Sequence, residues 1–442
     1  MKAKLLTRIS TPRMVAFSFI LLILVGSVLL TTPMASATGE HTGFLTALFT
    51  ATSATCVTGL VVVNTAAYWS LFGKCIILIL IQIGGLGLMT VIATAFILAR
   101  KKIGISERKI LKESAGNMEL QGVVSLIIRI IKGTIIFEVC GAALLAIRFI
   151  PVYGVGRGIW YGVFHSVSAF CNAGFDIIGD SLMSYASDPF VLSVIMLLII
   201  IGGIGFLVWN DMAKKKLHIG QYNLHTKIVL VMTFILIAVG TVGYLVLEQR
   251  TSMLGEGGWN RFWSALFMSV TSRTAGFNSI DLSQMSEPGN LITMFLMFIG
   301  GSPASTAGGI KTTTFAIIIL AVASLTRGED RVVIFNKTLK RGILSQATVV
   351  FTIYMALVVA GTMVISYCDQ IPVVQAGFEA VSAVATVGLT VGITTTLSPI
   401  SQVVLILLMY AGRIGGFTLV LALREKCKQA IIKRPEEKVL IG

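Results

Sequence analysis

Unbroken apolar runs of roughly 20 residues recur along the whole chain, each long enough to cross about 30 Å of hydrocarbon. The runs are continuous rather than alternating at period two, which predicts membrane-spanning helices and not the strands of a barrel. Between them lie four shorter stretches, FTATSATCVTGL, FHSVSAFCNAGF, FMSVTSRTAGF and FEAVSAVATVGL. Each predicts a helix of about ten residues followed by an extended turn that ends at glycine. Ten helical residues span only ~15 Å. That is half a bilayer, so these segments read as re-entrant rather than crossing.

The four stretches match position by position. Their glycines are Gly59, Gly174, Gly276 and Gly388, separated by 115, 102 and 112 residues. Ahead of them stand Phe49, Phe164, Phe267 and Phe378, and four residues after each Phe comes a hydroxyl: Ser53, Ser168, Thr271 and Ser382. A second glycine signal follows 24 to 28 residues after each loop glycine: Gly84 and Gly85, Gly202 and Gly203, Gly300 and Gly301, and Gly412. Small residues are common where membrane helices touch, and Gly84, Gly85, Gly202 and Gly203 are read as packing sites. Internal repetition governs the fold. The predicted architecture is an all-α polytopic membrane protein of four pseudo-symmetric repeats, at residues 14–100, 121–211, 225–326 and 340–424, followed by a tail at 425–442. Each repeat is a crossing helix, a re-entrant helix with its loop, and a second crossing helix. Eight crossings put both termini on one side.

Charge agrees with this arrangement. Only 12% of residues are charged, against roughly 25% in soluble domains. The net charge is +15, and 25 of the 35 Lys and Arg fall in residues 1–13, 100–120, 210–227, 326–341 and 424–442. Those are the cytoplasmic positions expected under the positive-inside rule. The intervening loops are acidic, with Glu40, Asp176, Asp180, Asp188, Glu248, Glu256, Asp281, Glu287 and Asp369. Sorting by position accounts for the charge, so nucleic acid is excluded as a partner. The first 39 residues share features with a signal peptide, a basic start and Ala35-Ser36-Ala37 after an apolar core. The repeat pattern requires this segment as a span. Six scattered cysteines without a C-x-x-C pair read as small buried residues, and four histidines without H-E-x-x-H give no zinc-type site.

Irregular backbone at membrane depth is tolerated only where it is buried in protein or lines a water-filled cavity. Four such loops can surround one axis, and their carbonyls can replace a cation's hydration shell. The candidate ion-binding residues are Val57, Thr58 and Gly59, Asn172, Ala173 and Gly174, Thr274, Ala275 and Gly276, and Thr386, Val387 and Gly388. The ligand is backbone, which explains why the side chains differ between loops. No carboxylate lies within three residues before any loop glycine, so a side-chain-lined calcium pathway is excluded. The short helices would aim their partially negative C-termini at the axis. Residues 300–309, GGSPASTAGG, contain four glycines, a proline, two serines and a threonine. That composition cannot hold a stiff helix, and a polar strip beneath the loops reads as a gate. Its candidate residues are Gly300, Gly301, Ser302, Ser305, Thr306, Gly308 and Gly309, with Lys311 and Arg413. Three roles stay open for Lys311: capping loop carbonyls, reaching to the cytoplasm, or gating. Arg413 and Glu138 are buried charges, functional by default, and their pairing is left open.

These loops, and above all GGSPASTAGGIKT, resemble the Trk/Ktr/HKT superfamily of potassium transporters, closest to its Ktr-type membrane subunit, over essentially the whole chain. The resemblance implies a potassium-channel-like fold with one pore per subunit, filter glycines at Gly59, Gly174, Gly276 and Gly388, a gating loop at 300–309, and an arginine beneath the filter at Arg413. Serine in the first filter position accompanies sodium selectivity in some plant members, so Gly59 implies K+ as the transported ion. Sodium as an activator stays open, and no cofactor is implied. The implied partners are a KtrA-like cytosolic ring of nucleotide-binding regulatory subunits and a second copy in a homodimer, within the lipid of the plasma membrane. An enzyme is unsupported: no G-x-S-x-G occurs, and ASTAGGIKT lacks the adjacent Gly-Lys of a phosphate loop. A carrier built from inverted repeats would alternate their orientation, whereas all four here start on the basic side.

The charge pattern gives a direct test. Cysteines introduced at residues 100–120, 210–227 or 326–341 are expected to escape an impermeant thiol reagent in intact cells. Labelling of any of these segments from outside would break the predicted topology.

Overall fold

The computed structural model describes residues 11–87, 123–216, 218–328, 332–335, 337–340 and 342–415. The predicted cytoplasmic segments 100–120 and 425–442 lie outside the described residues.

Helix α1 (Thr11–Thr31) precedes the shorter α2 (Phe44–Cys56) and, after a loop, α3 (Leu71–Leu86). The long α4 (Val123–Tyr153) precedes α5 (Val155–Cys171), then α6 (Pro189–Gly203) and α7 (Phe206–Lys215). Next come α8 (Leu224–Leu247), α9 (Gly258–Thr271), α10 (Glu287–Phe298) and α11 (Thr312–Thr326). A two-residue β-hairpin, Val333–Ile334 with Lys337–Thr338, leads to α12 (Ile343–Asp369), α13 (Val373–Ala385) and α14 (Pro399–Ile414). By length and composition α1, α4, α8 and α12 can each cross a membrane, and α6 with α7 qualify together as one span bent by 95°.

Helix starts follow local chemistry. Ser70, Asp188, Ser286 and Ser398 cap α3, α6, α10 and α14, each accepting a hydrogen bond from a first-turn backbone N–H. Proline occupies the first or second position of α6, α10 and α14, where its missing N–H costs nothing. The short helices α2, α5, α9 and α13 have 13, 17, 14 and 13 residues, longer than the ten expected. They extend toward their N-termini, ahead of the Phe that marks each motif. Those four phenylalanines are fully buried and anchor the short helices in the core.

The glycine signals after the loops mark close approaches. A Cβ at Gly84, Gly202 or Gly412 would run into the backbone carbonyl of Thr55, Phe170 or Val384, each in the last turn of a short helix. Packing therefore explains Gly84 and Gly202. Gly203, however, ends α6, and Gly205 at φ 96° turns the chain into α7, so this glycine pair also breaks a helix. Residues 300–309, whose composition cannot hold a stiff helix, separate α10, which stops at Phe298, from α11, which begins at Thr312. Helix α1 lies in the core through Phe19, Ile23, Ser27 and Leu30, and Tyr410 on α14 donates to its Ala16 carbonyl at 2.9 Å.

Valine at position 84 or 412 should lower the thermal midpoint of purified protein, because overpacking against backbone costs about 1–3 kcal/mol. Gly43→Ala, with nothing within 4 Å of the added carbon, should leave it unchanged. Equal midpoints for all three variants would mean the helices do not approach so closely.

Candidate functional site

Each short helix ends in a turn that L-residues seldom adopt. Val57, Asn172 and Thr386 follow α2, α5 and α13 in the left-handed region, at φ 57°, 58° and 51°. The next N–H in each case, of Thr58, Ala173 or Val387, bonds back to the carbonyl of Ser53, Ser168 or Ser382 at 2.8, 2.8 and 2.9 Å. This is a Schellman-type closure without the usual glycine. The third loop is one residue shorter: Ser272 stays right-handed, Thr274 takes φ 79°, and Ala275 N–H bonds Thr271 O at 2.9 Å. Positive φ at β-branched Val57, Thr274 and Thr386 is strained, and such strain persists only where the surroundings over-determine it.

The matched hydroxyls hold the loops from behind. Ser53 and Ser382 Oγ accept from the Gly59 and Gly388 N–H at 3.1 Å each. Ser168 and Thr271 instead donate to the carbonyls of Phe175 and Phe277, at 2.8 and 2.7 Å.

The four glycines close a ring. All have positive φ, at 96°, 66°, 82° and 94° in chain order. A Cβ on Gly59 would lie 2.5 Å from Ala173 O, and one on Gly174 would lie 2.6 Å from Ala275 O. On Gly276 it would strike Val387 O, and on Gly388 it would strike Thr58 O. Each loop thus abuts the next, the fourth returns to the first, and the carbonyl before each glycine sits at the contact. The structure brings together all twelve loop residues named from the sequence. Asn172 Oδ1 and the hydroxyls of Thr55, Thr58, Thr274 and Thr386 are buried and have no hydrogen-bond partner among the described residues.

Residues 300–309 run against the feet of two of these loops. Asn172 Nδ2 donates to Thr306 Oγ1 at 2.8 Å, and Thr306 donates to Phe170 O at 3.1 Å. On the other side Gly308 leaves no room for a side chain beside Thr386. The segment borrows partners from the α6–α7 break: Ser302 N–H bonds Gly203 O at 2.9 Å, Thr306 N–H bonds Gly202 O at 3.3 Å, and Ala304 O accepts from Phe206 N–H at 2.8 Å. Ser302 and Thr312 share a hydroxyl contact at 3.1 Å, and Ser305 folds back onto Ser302 O at 2.7 Å. Gly300 and Gly309 lie against each other at the neck of the loop, and Gly301 O accepts from Thr312 N–H at 3.1 Å.

Two cations bind this segment. Lys311 Nζ donates to Ala307 O at 2.6 Å, the capping role among those left open. Arg413 on α14 donates to Thr306 O and, at the end of α3, to the carbonyls of Gly84 and Gly85, the last at 3.1 Å. Glu138 on α4 makes no ion pair with Arg413 among the described residues; it accepts from Gln82 Nε2 at 3.1 Å.

The sequence pattern passed over two further groups. His165, directly after Phe164, is fully buried and meets Asp176 Oδ1 through Nε2 at 3.0 Å and Tyr161 O through Nδ1 at 2.8 Å. Glu379, directly after Phe378, is fully buried and accepts from the hydroxyls of Thr390 and Thr394. Aligning FHSVS with FEAVS would have exposed both, since the other two stretches carry Thr50 and Met268 at that position.

The family model described as TrkH, cation transport protein, matches residues 8–434. The chain is 42% identical to the potassium/sodium uptake protein NtpJ of Enterococcus hirae, over 100% of this chain and 99% of that one. It is 40% identical to the Ktr system potassium uptake protein B of Bacillus subtilis, over 98% of this chain and 97% of that one. The crystal structure of the potassium transporter TrkH from Vibrio parahaemolyticus superposes with a TM-score of 0.71 at 18% identity, covering 92% of this chain and 85% of that one.

Proposed function

Because this chain belongs to the TrkH family of cation transport proteins, we propose that it takes up potassium across the plasma membrane through a single pore per subunit, with the ring of four loop glycines as its selectivity filter. The observation that carries this reading is the closure of that ring by backbone contact alone. Carbonyls of Thr58, Ala173, Ala275 and Val387 stand at its four joints and are suited to replace a dehydrated ion's water. The buried hydroxyls of Thr55, Thr58, Thr274 and Thr386 and the Asn172 amide oxygen belong to the same loops and the helix ends that lead into them, and a buried polar group left unpartnered costs about 1–3 kcal/mol. The names of the relatives support potassium as cargo, and that of the Enterococcus hirae protein makes sodium the second ion to measure.

In this reading the chain forms four repeats and eight crossings, with both termini in the cytosol. Residues 300–309 are the gate. They lie at the feet of the second and fourth loops and are held shut by Arg413 and Lys311, through carbonyls at Thr306 and Ala307. A ring of cytosolic nucleotide-binding subunits shifts the gate, and the membrane subunit works as a homodimer. Membrane potential suffices to drive uptake, at ~2.3 kcal/mol per charge per 100 mV.

The filter is tested by Gly→Ser at positions 59, 174, 276 and 388. Each substitution puts a side chain against the neighbouring carbonyl at a backbone angle suited to glycine. Each should lower the potassium-over-sodium flux ratio or abolish flux in proteoliposomes. Wild-type flux and ratio in all four variants would end the assignment.

The gate is tested in the same vesicles, first without and then with a cytosolic regulatory partner. Deleting part of 302–307 should raise potassium flux and reduce its dependence on regulation. Arg413→Ala should act in the same direction but more weakly, because Lys311 and the α6–α7 carbonyls still hold the loop. Unchanged or lower flux in a well-folded deletion variant would return this segment to a packing kink.

A further inference from the structure

Seen from outside the ring, the four loops are not held alike. The position after the marker Phe is Thr50, His165, Met268 and Glu379 in the four short helices. The position two residues beyond each loop glycine is Val61, Asp176, Asn278 and Thr390. In the second and fourth loops these two positions bond to each other across an identical gap of 11 residues: His165 to Asp176 at 3.0 Å, and Glu379 to Thr390, with Thr394 adding a contact at 2.8 Å. Both helix residues are fully buried. Asp176 is fixed further by the N–H groups of Ile178, Gly179 and Ser181, at 2.7, 2.7 and 3.0 Å.

The first and third loops lack this bond. Thr50 donates back into its own helix, to Thr46 O at 2.9 Å, and Met268 has no hydrogen to donate. Asn278 ties its backbone to Ser181 and Leu182 of the second loop instead, at 2.9 and 3.0 Å. The ring order runs 59, 174, 276, 388 and back to 59, so the two bonded loops face each other across the centre.

We propose that His165–Asp176 and Glu379–Thr390–Thr394 are a pair of opposed tethers that pin the outer strands of the second and fourth loops to their short helices and so set the filter's ion discrimination along one diagonal. The five residues are positioning residues: none lies in the glycine ring, and they act through the backbone that follows it. A loop strained at its β-branched or amide residue relaxes unless something restrains it. In these two loops the tether supplies that restraint two residues past the glycine, beyond the residues that the helix closure and the inner hydroxyl bond. The third loop leans on the pinned second one, and so does the first, through Asn64, whose Nδ2 donates to Gly179 O at 3.1 Å. The proposal rests on the ring being the filter.

The test measures potassium and sodium flux in proteoliposomes of the full chain, with retained gel-filtration profile as the check on folding. His165→Leu and Glu379→Leu should each lower the potassium-over-sodium ratio by roughly two- to ten-fold, the factor corresponding to one net hydrogen bond. His165→Gln and Glu379→Gln, which keep a group able to bridge, should restore most of the ratio, a rescue that lost packing alone does not predict. Thr50→Val and Met268→Leu, at the equivalent untethered positions, should leave it unchanged. Should either leucine variant fail to fold, Thr390→Val combined with Thr394→Val removes the fourth tether from its loop side and should give the same fall. An unchanged ratio in folded tether variants overturns the proposal, as does an equal fall in Thr50→Val or Met268→Leu. If Gly388→Ser lowers the ratio while the tether variants do not, the tethers fail and the filter stands. If neither changes it, the filter reading fails with them.

Discussion

Backbone that leaves a helix inside an apolar slab must find every hydrogen-bond partner within the protein, since each group left bare costs several kcal/mol. Most of the architecture follows from meeting that demand four times. The last carbonyls of α2, α5 and α13 are taken by N–H groups of the turn that follows, at the expense of a left-handed residue. Hydroxyls on the preceding helical turn take the next groups, accepting in the first and fourth loops and donating in the second and third. The phenylalanine one turn earlier is fully buried and keeps that hydroxyl aimed at the loop. Only after these groups are satisfied can the remaining carbonyls stand free at a ring.

The same demand shapes the segment beneath. Residues 300–309 are stable at depth because α6 breaks beside them, so that the carbonyls of Gly202 and Gly203 meet their N–H groups. The two irregularities are one feature, each supplying what the other lacks. Arg413 adds a charge to this junction, and it is held by carbonyls of two separate elements rather than by a carboxylate. Hydrogen bonds from a charged donor are worth about 1.5–3 kcal/mol each, enough to hold a glycine-rich strip in one place. A neutral set of acceptors also leaves the positive charge uncancelled beneath a ring of carbonyls.

Much of this was legible in the sequence because side-chain identity reports it. The four Phe, hydroxyl and Gly positions fall where the spacing put them, since a buried aromatic, a short hydroxyl and a residue at positive φ have few substitutes. The gap in the helix at 300–309 was readable from its glycines and proline. Other features were hidden for definite reasons. The partners of Arg413 are backbone carbonyls, which every residue carries, so no residue type marks them. Glu138 found Gln82, a neutral partner that a search for opposite charges overlooks. The bend at Gly203–Gly205 has the same letters as a packing glycine pair, and only the neighbouring loop decides between the two. The short helices outgrew their expected length because no proline interrupts them between Phe44 and Phe49, or between Val373 and Phe378.

The ring is drawn from one polypeptide, and that has an evolutionary consequence. A pore assembled from four copies of a short chain repeats any substitution four times, so a tolerable change in one wall becomes an intolerable change in all. Here a mutation touches a single quadrant. Histidine can stand behind one wall, methionine behind the next and glutamate behind the one beyond, each selected separately. As the proposed filter, such a ring can change its ion preference by small steps, one quadrant at a time.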